Sequence, residues 1–122
     1  MKNGKTGLSR LIAATGYSRR GFVSAFRHEE AFRQELALVV VGLVLAIVVA
    51  GSAVEFLLLA IPLLLILLAE LLNSAIEAAV DRFGGERHEL SGRAKDLGSA
   101  AVFISLCIAA LSWGVLLAER FF

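Results

Sequence analysis

The sequence predicts an all-α integral membrane protein: three transmembrane helices preceded by an N-terminal amphipathic surface helix. Three apolar runs carry that expectation. Leu36 to Val54 is 19 residues without a charge, and Leu97 to Ala118 is 22 residues without a charge. Between them, Phe56 to Val80 is 25 residues whose strongly polar positions are only Glu70, Asn73 and Glu77. A bilayer core takes about 20 apolar residues per helix. Lipid tolerates no unpaired backbone, so such runs are helical. Composition agrees, with 58% hydrophobic residues and a mean hydropathy of +0.80, both high for a soluble globular chain. At 122 residues the chain makes a single membrane domain, 1–122.

The first element covers about residues 8–28. Leu8, Leu11, Ile12, Thr15, Phe22, Val23 and Phe26 recur at helical spacing, while Ser9, Arg10, Arg19, Arg20 and Arg27 fall largely on other faces. This reads as a helix lying on the membrane surface, bent or broken at Gly16 and Gly21. It serves either as a basic anchor for anionic lipid or as one wall of a site. No apolar core of signal-peptide length precedes it. The next stretch, HEEAFRQE (28–35), brings Glu29, Glu30 and Glu35 to the membrane boundary. Acids there also suit the positive end of a helix. Spans follow at about 36–54, 56–80 and 97–118, the first two joined by the short turn GSAVE. The remaining connection, RFGGERHELSGRAKD (82–96), reads as a charged, solvated loop. It carries no GxxxxGK[ST], and GxGxxG occurs nowhere in the chain, so no phosphate-binding fingerprint is present. Cys107, alone in the third run, forms no internal disulfide and is expected to pack as a small hydrophobe.

Basic residues set the orientation. Seven of the twelve Lys and Arg precede residue 36, four more lie in 82–96, and only Arg120 lies elsewhere. The N-terminus and the 81–96 loop are therefore expected in the cytoplasm and the C-terminus outside. The net charge of +1 says little about partners, and no nucleic acid is expected among them.

The chemistry concentrates in ELLNSAIEAAVDR, residues 70–82. At about 100° per residue, Glu70, Asn73, Glu77 and Asp81 share an arc of roughly 80°. An ionised carboxylate within a bilayer costs about 2.5–3.5 kcal/mol at mid-depth, so Glu70 needs a cation, a partner or a proton. The ladder either hydrogen-bonds neighbouring helices or lines a functional site. Carboxylates near a membrane surface suit Mg²⁺, which also carries substrate phosphates. Glu77 near the interface suits the metal, with Glu29 as a second carboxylate. Glu70, deeper, suits removal of a proton from a lipid hydroxyl, and Lys95 meets phosphate as a point charge. Together these are the parts of a phosphoryl-transfer site. Three helices wall such a site poorly, which points to a site shared between subunits.

EAFRQE (30–35), ELLNSAIEAAVDR (70–82) and HELSGRAKDLGSAAV (88–102) closely resemble the small integral-membrane diacylglycerol kinases of bacteria. The resemblance spans essentially the whole chain. It implies a homotrimer with three composite sites at subunit interfaces in the bacterial inner membrane. The implied reaction moves the γ-phosphate of ATP to the 3-hydroxyl of diacylglycerol, giving phosphatidate and recycling lipid released when membrane-derived oligosaccharides are made. Mg²⁺ is the implied cofactor. Glu70 matches the general base, and Glu29 and Glu77 match the metal carboxylates. Asn73, Lys95 and Asp96 belong to the same site, with Lys95 towards the phosphates. Arg10, Tyr17, Glu86 and His88 match positions on the nucleotide side. Ala14, Phe32, Gln34, Glu35, Ser99 and Trp113 match positions near the lipid. Arg19 and Arg20 stand where the family has an aromatic and one basic residue, and Arg87 replaces the usual tyrosine beside His88. A related branch phosphorylates undecaprenol, but FRQE and ELSGRAKDLGS look more like the diacylglycerol branch. Outside the kinase reading stand an oligomeric cation transporter or channel with the ladder as its ion path, and a structural subunit whose glutamates only pair with partners.

Overall fold

The computed structural model describes residues 6–83 and 88–122, and these fold into helices alone. The order is α1 (Gly7–His28), α2 (Glu30–Val49), α3 (Ala53–Asp81) and α4 (Glu89–Phe121). By length and composition α2, α3 and α4 each suffice to cross a membrane. α2 ends at Val49, short of the expected 54, and α3 already starts at Ala53, because Ala50 to Ser52 form the turn; three further differences from expectation bear on the site.

First, α1 runs unbroken through Gly16 and Gly21. A Cβ at either glycine would meet nothing within 4 Å, so neither glycine marks a close approach. An isolated glycine costs a helix only about 1 kcal/mol, which its neighbours offset. Second, α2 starts at Glu30, so the acidic stretch before the first apolar run is helical. Glu29 alone is extended and makes the corner between α1 and α2. Arg33 fixes that corner, its guanidinium donating to the carbonyls of Phe26 (2.7 Å) and Arg27 (3.4 Å). These are orphan acceptors at the end of α1, where a cation also answers the helix dipole.

Third, α4 starts at Glu89, so ELSGRAKD is helix and not loop. The cause is local: His88 is the N-cap, and its Nδ1 accepts from the Leu90 N–H at 3.0 Å. Cys107 also departs from expectation, lying exposed on α4.

The α2–α3 turn resembles a capping box, with the returning bond made one residue before the N-cap. Ser52 Oγ accepts from the Glu55 N–H at 3.2 Å, and Glu55 Oε1 accepts from the Gly51 N–H at 2.9 Å. The same Glu55 oxygen takes Arg120 from the end of α4 at 2.9 Å. Both side chains are more than a third exposed. Arg120→Ala is therefore expected to lower unfolding free energy by no more than about 1 kcal/mol, read by thermal unfolding in detergent.

α3 is the central helix, with α2 and α4 packed against it. Its buried positions Leu59, Leu63, Ile66, Glu70 and Asn73 follow alternating steps of four and three, the seam of a helix gripped by neighbours. Val39, Leu63, Ile66 and Ala109 form the core, with Leu43, Leu67 and Trp113 packed on it. Small residues allow the close approach: a Cβ on Gly42 would lie 2.6 Å from Leu63 Cδ1. Beyond this seam the apolar side chains are exposed, among them Ile47, Val48, Ile104 and Leu111. Pro62 sits inside α3. It leaves the Leu58 carbonyl without its helical donor, and α4 answers. Ser112 Oγ donates to Leu58 O at 2.6 Å, and Trp113 Nε1 donates to Leu59 O at 2.9 Å.

Candidate functional site

The core seam of α3 becomes polar after Ile66. Glu70 is 4% exposed and Asn73 8%. Ser74 Oγ, one turn on, donates to Glu70 Oε2 at 3.3 Å. From α2, the Glu35 carboxyl faces that of Glu70. Glu35 Oε2 is buried and takes no N–H or hydroxyl donor.

A cleft of about 740 Å³ opens beside this point, between α1 and the end of α3. Its volume is in the range of small-molecule sites. Glu29 at the helix corner and Glu77 on α3 both line it, with Ser18, His28, Ser74 and Asp81. The charges of Glu29 and Glu70 both reach Glu77. Asp81 at the rim pairs with Lys95 of α4 at 2.6 Å. Both of those side chains are well exposed, so the pair is held only weakly.

Asn73 is fixed by a close helix contact. A Cβ at Gly98 of α4 would run into Asn73 Oδ1. That oxygen is buried without a hydrogen-bond donor. Gly98→Ala forces the carboxamide aside inside a packed seam and is expected to cost about 1–3 kcal/mol of stability. Thermal unfolding in detergent, with turnover measured per folded protein, checks it.

The structure thus brings Glu29, Glu35, Glu70, Asn73, Glu77 and Lys95 to one end of the helices. Phe32 is buried on α2, and Gln34 donates to Glu30 Oε1 at 3.4 Å. Asp96 and Ser99 are exposed on α4 near Lys95. His88 uses its Nδ1 as the α4 cap. Other residues stand apart. Arg10, Ala14 and Tyr17 lie on α1 outside the cleft lining, with the Arg20 guanidinium 5.0 Å over the Tyr17 ring. Trp113 is bonded to Leu59 O, eleven residues before Glu70 and so about 16 Å along α3. Glu86 lies outside the described residues. Ser74 was missed by the sequence reading. Its signal was a hydroxyl four residues after a buried acid, one helical turn away.

Among the described residues no three His, Cys, Asp or Glu cluster as a metal site. Two carboxylates on one cleft nevertheless fit Mg²⁺, which is held by one or two carboxylates and completed by substrate phosphates and water.

Three helices long and apolar enough to span a membrane, with an acid-lined cleft between α1 and the end of α3, define a membrane-protein class. Sequence comparison makes the class specific. Residues 16–117 match the family model of prokaryotic diacylglycerol kinase. The chain is 48% identical over 121 residues to a diacylglycerol kinase of Escherichia coli K12, covering 99% of both chains. It is 51% identical over 112 residues to one from Haemophilus influenzae, covering 92% of this chain and 95% of the relative. It is 51% identical over 114 residues to one from Pseudomonas aeruginosa, covering 93% of each. The chain belongs to the prokaryotic diacylglycerol kinase family. It is a kinase and a bacterial membrane protein.

Proposed function

We propose that this protein phosphorylates diacylglycerol with ATP, giving phosphatidate and ADP in lipid recycling. The observation that carries the reading is the buried Glu70 carboxyl, supported by Ser74, within reach of a cleft that holds Glu29 and Glu77. Glu70 takes the proton of the 3-hydroxyl. The oxygen so freed bonds to the γ-phosphorus, and the bond from that phosphorus to the β–γ bridging oxygen breaks, releasing ADP. A general base contributes about 10²–10⁴-fold, and holding both substrates at one interface adds to it. Glu29 and Glu77 hold Mg²⁺, which supplies charge neutralisation on the nucleotide phosphates. Asn73 and Asp96 position the nucleotide, and Lys95 turns from Asp81 to the phosphates. Arg10, Tyr17, Glu86 and His88 form the nucleotide side, and Ala14, Phe32, Gln34, Glu35, Ser99 and Trp113 the lipid side.

The names of the relatives support the lipid assignment. A composite site is supported by Arg10, Ala14 and Tyr17, which lie outside the lining of the cleft that holds Glu29 and Glu77 on the same chain. A homotrimer closes that gap and covers the exposed apolar faces of the helices. The chain acts as one domain in the inner membrane. α1, with Leu8, Leu11, Ile12 and Phe22 exposed, lies amphipathically on the cytoplasmic surface. The N-terminus and the 81–96 connection are cytoplasmic and the C-terminus periplasmic.

Purified protein with labelled ATP and Mg²⁺ is offered diacylglycerol and undecaprenol in parallel. Label in phosphatidate is the expected result. Label only in undecaprenyl phosphate moves the chain to the other branch, and cation flux without lipid phosphorylation overturns the reading.

A further inference from the structure

The bonds that α4 makes to the interrupted turn of α3 do more than tie two helices. Pro62 has no N–H, so Leu58 O has no donor within its own helix. A carbonyl left bare in a membrane-spanning helix is costly, and neighbouring side chains commonly satisfy it. Ser112 Oγ meets Leu58 O at 2.6 Å, and Trp113 Nε1 meets the next carbonyl, Leu59 O, at 2.9 Å. Two adjacent residues of one helix thus hold two adjacent carbonyls of another, at the one place where α3 lacks part of its own ladder. Such a place is where a helix changes direction. Everything beyond it on α3 depends on the direction taken, including Glu70 at about 12 Å and Glu77 at about 22 Å along the axis. Glu70 must meet Glu35 from α2, and Asn73 must fit against Gly98 of α4. These contacts leave little room for a swing.

We infer that Ser112 is a positioning residue for phosphoryl transfer, acting through the Pro62 turn to set where α3 carries Glu70. Trp113 supports the same turn. The inference rests on Glu70 being the base. Ser112 itself touches neither substrate in this role.

The test is a pair of side chains in two backgrounds. Threonine and valine have nearly the same shape, but only threonine keeps the hydroxyl. In the natural chain, Ser112→Val is expected to lower kcat per folded protein about three- to tenfold, the worth of one hydrogen bond. Ser112→Thr is expected to restore it. KM for diacylglycerol should stay within about twofold, because no ground-state lipid contact is lost. In Pro62→Ala, residue 62 regains its N–H and bonds Leu58 O itself, so Ser112→Val and Ser112→Thr should then be equal in activity and in thermal unfolding. A hydroxyl effect of equal size in both backgrounds, or none in the natural chain, overturns the inference. So does a loss carried by KM, which would make Ser112 a lipid contact. If Glu70→Gln remains active while the hydroxyl effect still depends on Pro62, the base assignment fails and the helix tie alone survives.

Discussion

Glu70→Gln is expected to remove lipid phosphorylation, lowering kcat by about 10²–10⁴-fold while the protein still folds. The substitution is nearly isosteric. Glu70 is 4% exposed and receives the Ser74 hydroxyl at 3.3 Å. The amide oxygen of glutamine still accepts that bond, so the packing seam of α3 survives. What disappears is the ability to take a proton. The matching measurement is kcat in detergent with saturating lipid and Mg²⁺-ATP, alongside helicity and thermal unfolding. Near-normal turnover by a folded Glu70→Gln protein would remove Glu70 from the reaction and leave it as a packing acid beside Glu35.

Glu77→Gln is expected to act on the nucleotide instead. Glu77 lines the cleft with Glu29 and feels the charges of both Glu29 and Glu70. Losing one of two carboxylates weakens metal capture, because Mg²⁺ depends on very few protein ligands. KM for Mg²⁺-ATP should rise about tenfold or more, the usual scale for a lost charge-assisted contact. KM for diacylglycerol should change little. Titration of activity against Mg²⁺ at fixed ATP separates the two. An unaltered metal requirement in Glu77→Gln would count against the carboxylate pair as the metal holder.

Much of this organisation was legible in the amino acids. The three spans follow from uncharged length alone. The polar face of α3 follows from its spacing, and burial of Glu70 and Asn73 on one seam confirms that they share a side. The ends of the helices were harder to read. Hydropathy sees where lipid begins, not where hydrogen bonding begins, so the spans were drawn from Leu36 and Leu97 although the helices begin at Glu30 and Glu89; of these stretches, Glu89–Asp96 was the one read as a loop. The His88 cap was hidden because histidine is not among the usual capping residues. Gly16 and Gly21 misled for the opposite reason, since local propensity is weak against an otherwise helical stretch. The contacts of Ser112 and Trp113 with α3 join residues 54 positions apart, although Pro62 itself announced that some donor was needed.

The unequal lengths of the three long helices carry a further consequence. α2, with 20 residues, is about 30 Å long and matches a hydrocarbon slab, whereas α3, with 29, reaches about 44 Å and α4, with 33, about 50 Å. In the proposed placement, the surplus turns of α3 would hold Glu77 and Asp81 out towards the headgroups like a jetty. In a thicker bilayer that jetty sinks, and its acids lose their footing in water. Turnover in vesicles of stepped acyl length should therefore peak at an intermediate thickness and fall in the thickest membranes; a flat profile would show that the helices tilt freely to compensate.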